Sequence, residues 1–540
     1  MKRAGPFYAK ASSVDDDRTT GARPSATGAV QAMRSAAAAG VEVCFANPGT
    51  TELPLVEALD EVPQIRAILG LFEGVCTGAA DGYGRMANKP ALTLLHLGPG
   101  FANGVANLHN ARRARSPIVN LIGDQASWHR DFDAPLTSDI DSIATPVSDW
   151  LHTSVSPAQL ERDLCAAIAA ANGPPSGVST LVVPADHQWR PASEDAAQRA
   201  PEPRQTAASN AVGADAAAAR ISEANSVVLL IGGRALTVEG QRAAGRIAQA
   251  KNAKVLVETF PARWERGAGV PGFERLPYFP DQGQQALAGF DVVVLAGARP
   301  PVSFFGYEGI DSALVEDSRL VVVAAPEEDA AIALENVARS MQANEELKTG
   351  ETVPADVDLS AALDPAAIGA VLARYMPENA IVMEEGATSS LPFYAMSVNA
   401  MPHSLMSLTG GAIGQGMPCA TGAAVACPDR RVVSFQADGS GMYTLQSLWT
   451  QARENLDVTT VLCSNRAYRI LQVEFARAGN VEPGPKARSL TTLEQPELDW
   501  VALAKGCGVP GTRIENVADF VKGFERSIAE PGPHLLELMI

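Results

Sequence analysis

Four short stretches of the chain carry side chains that could do chemistry. In "QADGSGMY", Asp438 stands at the end of the apolar run "RVVSFQ", with Gly439 and Gly441 after it. Asn465 closes the next apolar run, "VTTVLCSN", 27 positions later. An acid and an amide oxygen at neighbouring strand ends suit a hard octahedral cation such as Mg2+, which takes oxygen ligands and commonly shares them with a phosphate. Glycines that open a helix let backbone N–H groups approach that phosphate. By itself "DGSG" is equally a turn with a helix cap, and its pairing with Asn465 is what favours the cation. In "LFEGVCTGAADGYGRM", Glu73 follows the run "IRAILGLF" and precedes Gly74, Thr77, Gly78, Ala79 and Ala80. Placing a carboxyl between a strand and a close-packed helix is costly unless something pairs with it. Such an acid either caps the helix or holds a proton for chemistry. In "LLHLGPGFANG", His96 sits in the loop after a strand, as a core histidine or as a group that moves protons near neutral pH.

Positioning these residues requires sheets. The 540 residues suggest about two to four domains. Continuous Val/Ile/Leu runs separated by helical lengths imply parallel sheets covered on both faces, whose ligands bind beyond the carboxyl ends of the strands. Residues 27–189 carry "VEVCFANPG", "ALTLLHLGPG", "PIVNLIGD" and "STLVVPAD"; residues 211–340 carry "SVVLLIGGRAL", "AKVLVETF", "FDVVVLAGARP" and "RLVVVAAPEE". Residues 361–540 carry "AIVMEEGATSS", "RVVSFQADGSG", "VTTVLCSNRAY" and "PHLLELMI". Residues 190–210 and 341–360 have linker composition, and residues 1–26 read as a tail. The expected fold class is α/β, with three doubly wound parallel-sheet domains. "YTLQSLWTQARE" is expected to form one helix after the glycine turn.

The formal charge of −18 argues against nucleic acid and against an anionic membrane surface. The basic cluster "ARRARS" is expected to cap a helix or line a subunit contact. No apolar run approaches the ~20 residues of a membrane helix. Seven scattered cysteines without a CxxC pair fit a reducing compartment, with Cys463 in "TTVLCSN" read as a buried thiol. A cytoplasmic location is expected, with an organellar address left open.

The Asp438–Asn465 segment resembles the thiamine diphosphate motif, Gly-Asp-Gly followed at similar spacing by Asn-Asn. Ala437 replaces the first Gly and Ser464 the first Asn, while both ligand positions are kept. The resemblance implies that Asp438, Asn465 and the Ala467 carbonyl hold Mg2+. It also implies that Gly439, Ser440 and Thr388, in "EEGATSS", lie against the diphosphate. The first segment resembles a pyrimidine-binding domain, in which Glu73 would hydrogen-bond N1′ and favour the 4′-imino tautomer that deprotonates C2. "SLTGGAIGQGMPCATGAA" resembles the stretch that bends the cofactor. There Ile413 would prop the thiazolium and the Gly411 carbonyl would accept from the 4′-amino group.

On the substrate side, "NPGTTELP" resembles the benzoylformate decarboxylases and places Thr50 against the substrate carboxylate, with His96 at an active-site histidine. Leu97-Gly98-Pro99-Gly100 is similar to a tract of the acetolactate synthases. Where the decarboxylases carry a second histidine, this chain has Phe304 and Phe305, so His129 becomes a candidate relay. Phe304, Phe305 and Trp128 hint at an apolar pocket. The glycine pair of "LLIGGRAL" is weak support for FAD, which is not expected. The resemblance implies a thiamine diphosphate- and Mg2+-dependent 2-oxo acid decarboxylase with carboligase capacity. The alternatives are an acetolactate synthase-like carboligase or a non-catalytic protein of the same fold. It further implies a homodimer or homotetramer whose sites combine the first domain of one subunit with the third of another.

Overall fold

The computed structural model describes residues 26–192 and 211–540, apart from residues 346, 348, 354 and 481. Residues 1–25 of the expected tail and residues 193–210 of the expected linker lie outside the described residues.

Three sheets follow one another along the chain. The first joins β1 (Val43–Asn47), β2 (Arg66–Leu69), β3 (Ala91–His96), β4 (Ile118–Asp124), β5 (Trp150–Thr153) and β6 (Val178–Pro184) in the order β2-β1-β3-β4-β6-β5, all parallel. Its inner strand β4 is buried along its whole length, which explains the apolar run "IVNLIG", interrupted only by Asn120, whose amide is bonded to the Thr93 hydroxyl at 2.7 Å and the Thr180 hydroxyl at 3.1 Å. The central segment supplies β7 (Val227–Ile231), β8 (Lys254–Val257), β9 (Trp264–Arg266), β10 (Glu274–Arg275), β11 (Val292–Ala296) and β12 (Leu320–Ala324). All of these except β9 form a parallel sheet of order β10-β8-β7-β11-β12.

The third sheet holds β13 (Ile381–Glu385), β14 (His403–Ser407), β15 (Val432–Ala437), β16 (Val458–Ser464), β17 (Gly511–Ile514) and β18 (His534–Met539). Its order is β17-β18-β16-β15-β13-β14-β9. Six of its strands are parallel. The seventh is β9, which leaves the central segment and pairs antiparallel with β14, Trp264 opposite Leu405 and Arg266 opposite His403.

The first and third segments meet where the helix Glu73–Ala87 crosses the helix Gly416–Ala426. The small residues of both are explained by this crossing. A Cβ on Gly82 would lie 1.9 Å from the Cys419 carbonyl oxygen, and one on Gly422 would lie 1.8 Å from that of Ala79. Any side chain at either position would force the backbones apart. Beside the crossing, buried Arg85 forms a fork with Asp81 at 2.8 Å on both oxygens and donates to the Ser407 carbonyl at 2.8 Å. Ser116 and Gln415 donate to the same Asp81.

"ARRARS" does cap a helix. Arg112 and Arg113 lie in the last turn of Leu97–Ala114, Arg115 is its left-handed C-cap, and Arg115 pairs with Glu327 of the central segment. Cys463 is a buried thiol, its pKa pushed up to about 12 by burial. No helix among the described residues is long and apolar enough to cross a membrane.

Candidate active site

The carboxyl end of the third sheet presents the acid–amide pair. β15 stops at Ala437, and Asp438 opens a single short turn of helix, Asp438–Gly441, with 1% of its surface exposed. Its Oδ1 accepts from the Gly439 N–H at 2.8 Å and its Oδ2 from the Arg466 N–H at 2.6 Å. Burial raises the Asp438 pKa, and these two N–H groups oppose the rise. Among the described residues no Lys or Arg side chain is ion-paired with Asp438. Asn465 follows the end of β16, and its Oδ1 accepts from the Ala467 N–H at 3.0 Å. The turn over residues 465–467 is therefore tied to the Asp438 carboxylate. No cluster of three His, Cys, Asp or Glu side chains able to hold a metal occurs among the described residues. A buried acid lacking a cationic partner, beside a neutral amide oxygen, fits a divalent cation that shares its oxygens with a phosphate.

A hydroxyl, an amide and an acid back this turn. Ser440 is buried, and its hydroxyl accepts from Gln436 Nε2 at 2.6 Å while donating to the Ala437 carbonyl at 3.2 Å. Gln436 also donates to Glu385 at 2.9 Å. Glu385 ends β13 and accepts from three successive N–H groups, Gly414 at 2.7 Å, Gln415 at 3.2 Å and Gly416 at 2.6 Å. That fixes the turn carrying Ile413. Sequence reasoning passed over Glu385, although an acid closing an apolar strand in "MEEG" was a signal of the same kind as Asp438. Thr388 lies on the short 3-10 turn Ala387–Ser389, beyond the same strand end. The expected single helix over "YTLQSLWTQARE" is replaced by a turn through residues 442–446 and a helix over Ser447–Arg453.

The carboxyl end of the first sheet holds the ionisable cluster. Glu73 is the first residue of its helix and 9% exposed. It does not cap that helix; Phe72 stands at the cap, and Glu73 Oε2 instead accepts from Asn103 Nδ2 at 3.0 Å. His96 is not in a loop. It ends β3, and the helix Leu97–Ala114 begins at the next residue. Gly100 lies between His96 and Glu73, where a Cβ would sit 3.0 Å from Glu73 Oε1 and 3.2 Å from His96 Cβ.

His96 Nδ1 is 2.8 Å from Oε2 of Glu52, a fully buried acid that also accepts from the Gly49 N–H at 2.8 Å and the Thr51 hydroxyl at 2.6 Å. The hydrogen bond to Glu52 raises the His96 pKa, against burial, with help from the charges of Glu52 and Glu73. Glu52 was missed in the sequence, where the acid three residues after Gly49 was the available signal. Thr50 stands exposed at the start of the 3-10 turn Thr50–Glu52.

Among the described residues no hydrogen bond or ion pair joins Glu73, Glu52 or His96 to Asp438 or Asn465. His129 is exposed and stacks on Phe132 at 5.7 Å. Trp128 packs on Trp189 at 6.2 Å. Phe304 does reach the third segment, since a Cβ on Gly411 would meet its ring at 2.7 Å. It sits within an aromatic group of Phe260, Tyr278 and Phe305, at centroid distances of 5.6, 5.2 and 4.7 Å. In the central sheet, the Gly233 N–H is taken by Glu258 at 3.0 Å, a carboxyl pushed up to about 7 by burial.

Three parallel-dominated α/β sheets carry polar groups beyond the strand ends of the first and third, where such sheets bind ligands. Residues 26–145 match the thiamine pyrophosphate enzyme N-terminal TPP-binding domain, and residues 386–538 match the C-terminal one. The chain is 47% identical over 512 residues to a Mycobacterium tuberculosis protein with the provisional name acetolactate synthase large subunit IlvX, covering 93% of this chain and 96% of that protein. It belongs to the thiamine pyrophosphate enzyme family. It is 27% identical over 530 residues to a benzoylformate decarboxylase of Pseudomonas aeruginosa, covering 92% and 96%. A solved thiamine diphosphate-dependent 4-hydroxybenzoylformate decarboxylase of Rhodococcus jostii RHA1 superposes with a TM-score of 0.84 at 25% identity, covering 95% and 98%.

Proposed function

We propose that the protein is a Mg2+-dependent 2-oxo acid decarboxylase of this family with carboligase capacity. The observation that carries the reading is the Glu52–His96 pair next to Glu73 across Gly100. Decarboxylation ends with a proton replacing CO2, and a histidine whose protonated form is stabilised by a buried acid can deliver it. Bound thiamine diphosphate would supply a nucleophilic carbon for the 2-carbonyl group and a sink for the electron pair that departing CO2 leaves behind.

The chain's residues take the remaining tasks. Asp438, Asn465 and the Ala467 carbonyl hold Mg2+, while Gly439, Ser440 and Thr388 bind the diphosphate. The Gly411 carbonyl accepts from the 4′-amino group, Ile413 supports the thiazolium, and Glu73 shares a proton with N1′. Thr50 faces the substrate carboxylate, and Phe304 walls the apolar side. The two clusters are completed across a homodimer, the minimum assembly, in which Glu73 of one protomer meets Asp438 of its partner. Their lack of contact within one chain supports this arrangement. The Glu258 carboxyl already occupies the Gly233 N–H that a dinucleotide phosphate would use, so a flavin in the central sheet is not part of the reading.

A second reading, an acetolactate synthase-like carboligase, is favoured by the name of the 47%-identical relative. CO2 release from a panel of 2-oxo acids, with and without an added aldehyde and with Mg2+ present or chelated, tests both. CO2 with aldehyde product supports decarboxylation, and CO2 released only as two 2-oxo acids condense supports the second reading. Neither product, in a protein that binds the cofactor, leaves a non-catalytic member of the fold.

A further inference from the structure

The turn that presents Gly411 is held from the first segment, by a helix with no part in the third sheet. Asn110, 0% exposed on the helix Leu97–Ala114, donates from Nδ2 to the Ala412 carbonyl at 2.7 Å and accepts at Oδ1 from the Ala412 N–H at 3.2 Å. His109, one residue earlier, donates from Nε2 to the Gly410 carbonyl at 3.0 Å. Thr409 in turn donates to the Asn110 carbonyl at 2.7 Å, and Arg85 donates to the Thr409 hydroxyl at 2.9 Å. Beyond the turn, Gly414 is fixed by Glu385 on its N–H and by Thr444 on its carbonyl at 2.9 Å.

The pattern leaves one group out. Gly410 and Ala412 have their carbonyls engaged, while among the described residues nothing donates to the Gly411 carbonyl between them. Gly411 has φ +80°, a conformation natural to glycine. An amide side chain that holds the N–H and the carbonyl of one residue fixes two successive peptide planes; the first carries the Gly411 carbonyl opposite the Ala412 N–H, so that carbonyl is aimed away from Asn110.

We propose that Asn110, assisted by His109, is a positioning residue that aims the Gly411 carbonyl at the 4′-amino group of the cofactor. The inference rests on the thiamine diphosphate reading of Gly411 given above. In consequence the first segment serves two sites: Glu73 works in the partner's, and Asn110 in its own.

Equilibrium binding to the full-length protein with Mg2+, by calorimetry, tests this with two ligands: thiamine diphosphate and its analogue with hydrogen in place of the 4′-amino group. The wild-type protein should prefer the natural cofactor by about fivefold, the size of one net hydrogen bond. Asn110→Ala should lose that preference by weakening the natural cofactor alone. Weakening of both ligands alike marks a merely structural residue and overturns the proposal, as does an undiminished preference. If Asn110→Ala fails to fold, the pair His109→Gln and His109→Phe gives the same reading, with the preference kept by Gln and reduced by Phe; equal preference in both overturns it. A wild-type protein that binds both ligands equally rejects the aimed carbonyl while leaving the cofactor reading intact. One that binds neither rejects both.

Discussion

The two polar clusters are built in opposite ways. At the first sheet, ionisable side chains contact one another: Glu52 on His96, with Glu73 one glycine away. At the third sheet, acids are met by backbone N–H groups and neutral amides: Asp438 by Gly439 and Arg466, Glu385 by residues 414–416. Side-chain pairs make a proton easy to move, because each partner's charge sets the other's pKa. Backbone donors fixed at a strand end make a charge easy to hold, because they cost nothing to reorganise. The division matches a cofactor with a proton-exchanging ring at one end and a diphosphate at the other.

Glu73→Gln attacks the proton-moving cluster most directly. It should leave cofactor affinity near wild type and lower kcat for CO2 release by about a thousandfold; wild-type turnover would remove Glu73 from the chemistry. Asp438→Ala should act on the holding cluster instead, weakening Mg2+-dependent cofactor binding by at least about 100-fold in a calorimetric titration. If it lowered kcat with binding intact, the contrast between the clusters would fail. Gly422→Ala strikes the joint between them, and overpacking against the Ala79 carbonyl should cost about 2 kcal/mol in denaturant unfolding. A neutral result would mean that the helices can separate freely.

Glu52→Gln is the finest probe, with an expected loss of about tenfold in kcat. Because Glu52 raises the His96 pKa, the variant's activity should fall off at lower pH than the wild type's. The sign for stability follows from the same shift. A raised histidine pKa stabilises the fold below the unfolded value of about 6.5, and the contribution fades as pH rises through the folded value. The stability gap between wild type and Glu52→Gln should thus be widest in acid and narrow above neutrality. A gap independent of pH would detach Glu52 from His96.

What the sequence made legible follows the same division. Asp438 and Asn465 were readable because each ends a continuous apolar strand, and strand ends are where such sheets bind ligands. Glu73 stood out as an acid set against residues too small for an ordinary helix face. Glu385 and Glu52 carried local signals, but their partners are brought near only by folding, His96 lying 44 positions from Glu52; Asn110 was hidden altogether, 302 positions from Ala412. The helix after Asp438 was misjudged because "YTLQ" has helical composition but is bent by contacts such as Thr444 to the Gly414 carbonyl. Periodicity is silent on β9, which spans three residues and borrows its partner from 139 positions away.

That short strand has a mechanical meaning. The chain leaves β14 at Ser407 and reaches Gly411 four residues later, so the pairing of Trp264–Arg266 with β14 braces the strand that leads into the Gly411 turn. The central segment is stitched to the third by a seam of paired backbone as well as joined to it along the chain.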